Sequence, residues 1–110
     1  MGGSKFDQLL DVLERCTTAC QKYVSGDLRS GNGAMGHCTS LALDCSEIAG
    51  VTAKFVARGS RFMNELLVQC SIICKECEDE LRQHDVVTAQ ECAEICHECH
   101  LACALVAQPH

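Results

Sequence analysis

The sequence predicts an all-α protein, an antiparallel up-down-up-down four-helix bundle with a cysteine-lined core. Three observations carry this expectation. The chain holds 11 cysteines in 110 residues, and they recur at intervals of 3, 4, 7 and 11, which return a side chain to one face of an α-helix. Three polar breaks divide the chain into four stretches of similar length. The single proline stands at position 109, so no proline interrupts any of those stretches.

The first helix is expected over about 4–25 and ends in the Gly-rich segment Ser25-Gly26-Asp27-Leu28-Arg29-Ser30-Gly31-Asn32-Gly33. The second runs over about 35–57 and stops at Arg58-Gly59-Ser60, where Ser60 is the candidate N-cap of the third helix, about 61–83. His84-Asp85-Val86-Val87-Thr88 separates the third from the fourth, about 88–107, and Thr88 with Glu91 makes a capping-box pattern. Each helix is about 30 Å long at 1.5 Å per residue. Short connections favour antiparallel neighbours. One domain spanning 1–110 is expected.

The cysteines fall as Cys16–Cys20, Cys38–Cys45, Cys70–Cys74–Cys77 and Cys92–Cys96–Cys99–Cys103. At 100° per residue the last four lie within about 60° of arc. Four such stripes facing one another give a sulfur-lined interior. Lys75, Glu76, Asp79 and Arg82 take the opposite side of the third helix, as a solvated face should. Sulfur concentrates toward the end where the 26–34 and 84–88 segments meet. The other end carries Leu9, Val12, Leu13, Thr52, Ala53, Val56, Leu66 and Leu67 in the same stripes. The expectation is an apolar half that holds the fold without metal and a sulfur half that binds ligand.

A lone buried cysteine is usually a small hydrophobe. Eleven exceed what packing requires, because Leu or Ala would fill the same space and ordinary cysteine usage is far below about 10%. An odd number cannot all be bridged, and i, i+3 and i, i+4 neighbours on one helix are poorly placed to bridge each other. Reduced thiols and a cytoplasmic location are therefore expected. The start, Met1-Gly2-Gly3-Ser4-Lys5-Phe6-Asp7, shows no basic region followed by an apolar stretch. The formal net charge of -6 argues against nucleic acid or an anionic membrane as partner.

Thiolate donors suit Cu(I), zinc or an iron–sulfur cluster. Zinc in structural sites takes four ligands in a closed tetrahedron. Cu(I) is satisfied by two or three thiolates, so a continuous stripe offers many sites with shared sulfurs, several ions per chain. Binding releases thiol protons and weakens as pH falls. Met35, His37 and His84 belong at the sulfur-rich mouth as candidate entry ligands, and Met63, seven before Cys70, closes the stripe at the far end.

Other chemistries match parts of the pattern. Cys96-His97-Glu98-Cys99-His100 fits C-x-x-C-H, the attachment signature of c-type haem. Haem would leave nine cysteines unexplained, with His97 on the far side of the helix from the stripe and His100 at its flank. C-x-x-x-C-x-x-C at 70–77 and 92–99 matches the cluster motif of radical S-adenosylmethionine enzymes, but here it is helical and duplicated. An electron-transfer protein with haem or an iron–sulfur cluster, and a thiol redox protein, are the alternatives to Cu(I) sequestration. No paired carboxylates, nucleophile–base constellation or phosphate loop appears, so no enzyme is expected.

An internal repeat relates Asp44-Cys45-Ser46-Glu47-Ile48-Ala49 to Glu91-Cys92-Ala93-Glu94-Ile95-Cys96. These segments, with Arg58-Gly59-Ser60, Cys70-x-x-x-Cys74-x-x-Cys77 and Cys96-x-x-Cys99-x-x-x-Cys103, resemble the cysteine-rich four-helix-bundle copper storage proteins, the cytosolic branch in particular. The resemblance implies Cu(I) held by all eleven inward thiolates, many ions per bundle, no catalysis and a homo-oligomer, often a tetramer. Tyr23, Ala49 and Leu81 stand where fuller members of that family carry cysteine, which implies a lower capacity here.

Overall fold

A computed structural model describes residues 4–30 and 36–108. Four helices follow one another: α1 Lys5–Ser30, α2 Gly36–Ala57, α3 Met63–Leu81 and α4 Val87–Val106. Side-chain contacts give their directions. Cys16 meets Cys45 across α1 and α2, and Asp27, later in α1, accepts from Thr39, earlier in α2. The same reversal relates Cys45–Cys74 and Thr52–Leu66 across α2 and α3. It recurs with Ser71–His100 and Asn64–Gln108 between α3 and the end of the chain, and with Arg15–Glu98 and Cys20–Cys92 across α1 and α4. Each helix packs on its two neighbours in a closed ring. This is the expected antiparallel bundle.

The helix ends refine the sequence reading. The first helix does not stop at Ser25; it continues through Gly26 to Ser30. A glycine inside a helix costs only about 1 kcal/mol. Here Tyr23 and Val24 are buried just before it. Asp27 is tied to Thr39, and Arg29 donates to Ser25 Oγ at 2.7 Å. At the α2–α3 turn Gly59 adopts φ +63°. Its N–H reaches Val56 O at 3.1 Å and the Ser60 N–H reaches Phe55 O at 2.9 Å, a Schellman stop. Ser60 Oγ accepts from the Phe62 N–H at 3.1 Å, so it caps the entry turn while regular helix begins at Met63. The Thr88–Glu91 capping box does not form. Val87 already starts α4, with Val86 extended as N-cap and no side-chain cap. Gln90 Nε2 instead donates to His84 O at 2.7 Å, bracing the α3–α4 turn from inside the helix.

The core runs the length of the bundle. Leu9, Val12, Leu13, Thr52, Val56, Leu67 and Val106 are buried at one end. All eleven cysteines are buried and fill the middle and the other end. Ala49 and Leu81 are fully buried within the same lining. Among the described residues no helix is long and apolar enough to cross a membrane.

Candidate metal centre

The cysteine sulfurs gather along the bundle axis, with Cys38 set apart beside Glu80 and His84. Cys92 meets Cys20 at 3.7 Å and Cys20 meets Cys96 at 3.8 Å. Cys96 lies 3.9 Å from Cys45, which contacts Cys74 at 3.2 Å and Cys16 at 3.7 Å. Cys74 continues to Cys16 at 4.0 Å, and to Cys70 and Cys99 at 3.8 Å each. Cys77 is buried in the same core, and the Cys20, Cys45 and Cys96 thiols lower it. Three compact groups emerge: Cys16–Cys20–Cys45–Cys96, Cys16–Cys74–Cys99 and Cys70–Cys99–Cys103. They share Cys16 and Cys99.

Helical phase explains the geometry. Each stripe puts a thiol at the axis every one or two turns, and thiols from four antiparallel helices interleave. With a metal–sulfur bond of about 2.3 Å, the S···S edge is about 4.0 Å around a trigonal ion and about 4.6 Å across a linear one. A tetrahedral ion gives about 3.8 Å, so spacings of 3.7–4.0 Å suit either geometry and the sharing of sulfurs decides between them. Shared sulfurs suit a soft ion of low coordination number. A closed tetrahedral site would claim four thiolates for itself, and just one of the three groups has four.

Burial pushes the Cys38 thiol up to about 11, with the Glu80 carboxylate adding to the rise and the Tyr23 hydroxyl opposing it. Around Cys16 the protons are shared. Its sulfur lies 3.7 Å from Cys45 and 4.0 Å from Cys74 and groups with Cys20 and Cys96; these thiols lower Cys16, and it raises them in turn. Neighbouring thiols stabilise a thiolate at Cys16, and within such a cluster each further proton is harder to remove. A bound cation replaces those protons one for one.

Cys38, Glu80 and His84 converge at the mouth. His84 Nε2 lies 3.5 Å from Glu80, and His37 Nε2, largely exposed, lies 3.6 Å from the same carboxylate. Glu80 escaped the sequence reading; its place four residues before His84 was the available signal. Met35 lies outside the described residues. Met63 is half-buried at the start of α3 and packs against the core at the apolar end.

His97 lies off the cysteine stripe, half-exposed. One residue beyond Cys96 the helix has turned about 100°, which aims His97 at α3, where it and His100 reach the buried Glu78. Burial raises Glu78. Hydrogen bonds from Arg82, His97 and His100 outweigh that and hold its carboxyl below the usual range.

Fold and lining together define the class: an all-helical container whose thiols point inward to receive soft metal ions. The family model described as Csp, copper storage protein, matches residues 3–108, and the chain belongs to that family. An uncharacterized cysteine-rich protein of Bacillus subtilis (strain 168), YhjQ, is 30% identical over 98 residues, 89% of this chain and 88% of that protein. Among solved structures, Cu(I)-bound copper storage protein BsCsp3 superposes with a TM-score of 0.86 at 25% identity, over 96% of this chain and all of that one. Apo-Csp3 from Bacillus subtilis superposes with a TM-score of 0.88 at 26% identity, over 93% of this chain and 98% of that one.

Proposed function

We propose that the protein stores Cu(I) as thiolate-bound ions along the bundle axis, several per chain. The observation that carries this is the cluster of buried sulfurs along the axis, eight of them linked by contacts of 3.2–4.0 Å, with every cysteine free and buried. Membership of the copper storage family points the same way. The ligands are Cys16, Cys20, Cys38, Cys45, Cys70, Cys74, Cys77, Cys92, Cys96, Cys99 and Cys103. His37, Glu80 and His84 pass ions to Cys38 at the mouth, and Met63 marks the closed end. The chain works as a single domain over 1–110, performs no catalysis, assembles with copies of itself and resides in the cytoplasm.

Haem attachment is the weaker reading. Cys96 and Cys99 point into the sulfur column and are fully buried, while His100 is held by Glu78. The thioether positions and the would-be axial ligand therefore face different ways.

Anaerobic Cu(I) titration against a competing chelator tests the proposal, with free thiols counted before and after. The expected result is uptake of several equivalents, sulfur-to-copper absorbance confined to the ultraviolet, and protection of the thiols. Uptake of one equivalent or fewer would overturn the storage reading. Visible haem or cluster absorbance in the purified protein would replace it with electron transfer, and loss of thiols under mild oxidation without metal would replace it with disulfide cycling.

A further inference from the structure

Outside the sulfur column, on the α3–α4 seam, three ligating side chains meet. Glu78 is buried, its side chain 5% exposed. His97 Nδ1 lies 3.1 Å from Glu78 Oε2 and 3.2 Å from Oε1. His100 Nε2 lies 3.0 Å from Oε1. The three ligand atoms all fall within 4.8 Å of one another. The two imidazoles stand edge to face, 5.3 Å between centroids at 83°, so their inner nitrogens converge without ring stacking.

We propose that Glu78, His97 and His100 form a second metal site, separate from the thiols, that takes a borderline divalent cation of the Zn2+ class. Bonds of about 2.0–2.1 Å around a tetrahedral ion give ligand–ligand edges of about 3.3 Å. The two carboxylate–imidazole edges are already near that length, and a rotation about one histidine side chain closes the third. Two neutral imidazoles and one carboxylate are the donor set for Zn2+ and its neighbours, whereas Cu(I) prefers the sulfurs inside. Arg82 does not block the site. Its Nε holds Glu78 Oε2 at 2.7 Å and its Nη2 reaches Glu94 at 3.1 Å. That leaves Oε1, 3.0 Å from His100 and 3.2 Å from His97, to face the ion, while the Arg82 bond to Oε2 fixes the carboxylate's orientation. His97 is 44% exposed, which gives the ion an entry path from solvent and leaves a fourth position open to water.

The rival account is an ionic lock in which the histidines only neutralise a buried carboxylate, and it predicts no metal uptake. The test uses the full chain with its thiols saturated with Cu(I) under anaerobic conditions, titrated with Zn2+ by calorimetry and with Co2+ by absorbance. The expected result is one further equivalent, visible Co2+ bands without sulfur-to-cobalt charge transfer, and Zn2+-dependent shifts of the His97 and His100 ring resonances. H97Q/H100Q should weaken Zn2+ binding at least about tenfold, since losing even an outer-shell partner costs about 10–100-fold. Its Cu(I) capacity and helicity should stay those of the parent, which keeps loss of the site distinct from loss of the fold. No additional equivalent, or equal uptake by the double variant, would overturn the proposal. The same titration on the reduced, copper-free chain reads the seam independently of copper storage, because thiolate coordination announces itself by charge transfer.

Discussion

Cys45 of α2 and Cys74 of α3 hold their sulfurs 3.2 Å apart, the tightest junction in the column. Cys74 also touches Cys16, Cys70 and Cys99, so it links the central four-sulfur group to the deeper ones. Removing a thiol that touches four others disturbs several ions, while removing a terminal one disturbs a single ion. C74S should therefore lower the Cu(I) capacity by more than C38S does. Anaerobic titration of both variants checks this; equal losses would mean that the sulfurs are not shared.

Loading should depend on pH, with a sign set by the thiols. Burial holds Cys38 protonated up to about 11, so Cu(I) arriving there must expel a proton at any ordinary pH. Lower pH adds competitor protons and weakens binding, about one decade per pH unit for each proton released. Apparent affinity measured between about pH 6 and pH 8 should rise with pH. C38S should leave the thiol-only sites unchanged, because Cys38 groups with Glu80 and His84, apart from the three sulfur groups.

Ala49 and Leu81 are fully buried in the lining, at positions where the sequence resemblance implies cysteine in fuller members. Ala49 follows Cys45 by one helical turn, so A49C should add a thiol in reach of an existing sulfur group. The predicted outcome is a higher Cu(I) capacity at a stability change of about 1 kcal/mol for the larger side chain. L81C should act likewise at a greater cost, because it removes a large buried side chain. Unchanged stoichiometry in both variants would show that these positions lie beyond ligand reach.

The apolar half should fold the chain without metal. Leu13 is completely buried there, and L13A should cost about 3 kcal/mol in the copper-free protein. Circular dichroism and chemical denaturation of reduced, chelated samples measure both points. A random-coil spectrum for the copper-free parent would make the metal, not the leucine layer, the organiser of the bundle.

The intervals between cysteines were enough to place every thiol on an inward stripe, because helical phase is a local property of spacing. The breaks at Arg58-Gly59-Ser60 and His84–Thr88 were legible for a similar local reason: turn chemistry is written in adjacent residues. Local rules misplaced the end of α1, where burial of Tyr23 and Val24 and the Asp27–Thr39 bond carry the helix past Gly26. They also proposed a Thr88 cap that Gln90 makes unnecessary.

Which sulfurs touch was beyond such rules. Cys20 pairs with Cys96, and Cys45 with Cys74, through the rotation and stagger of whole helices against each other. Those follow from packing of all side chains at once. The same holds for Glu78, which sits one residue off the stripe and reads as surface until α4 brings His97 and His100 against it. Spacing along one helix sets which way a side chain leaves its axis; what it meets depends on neighbours distant in the chain.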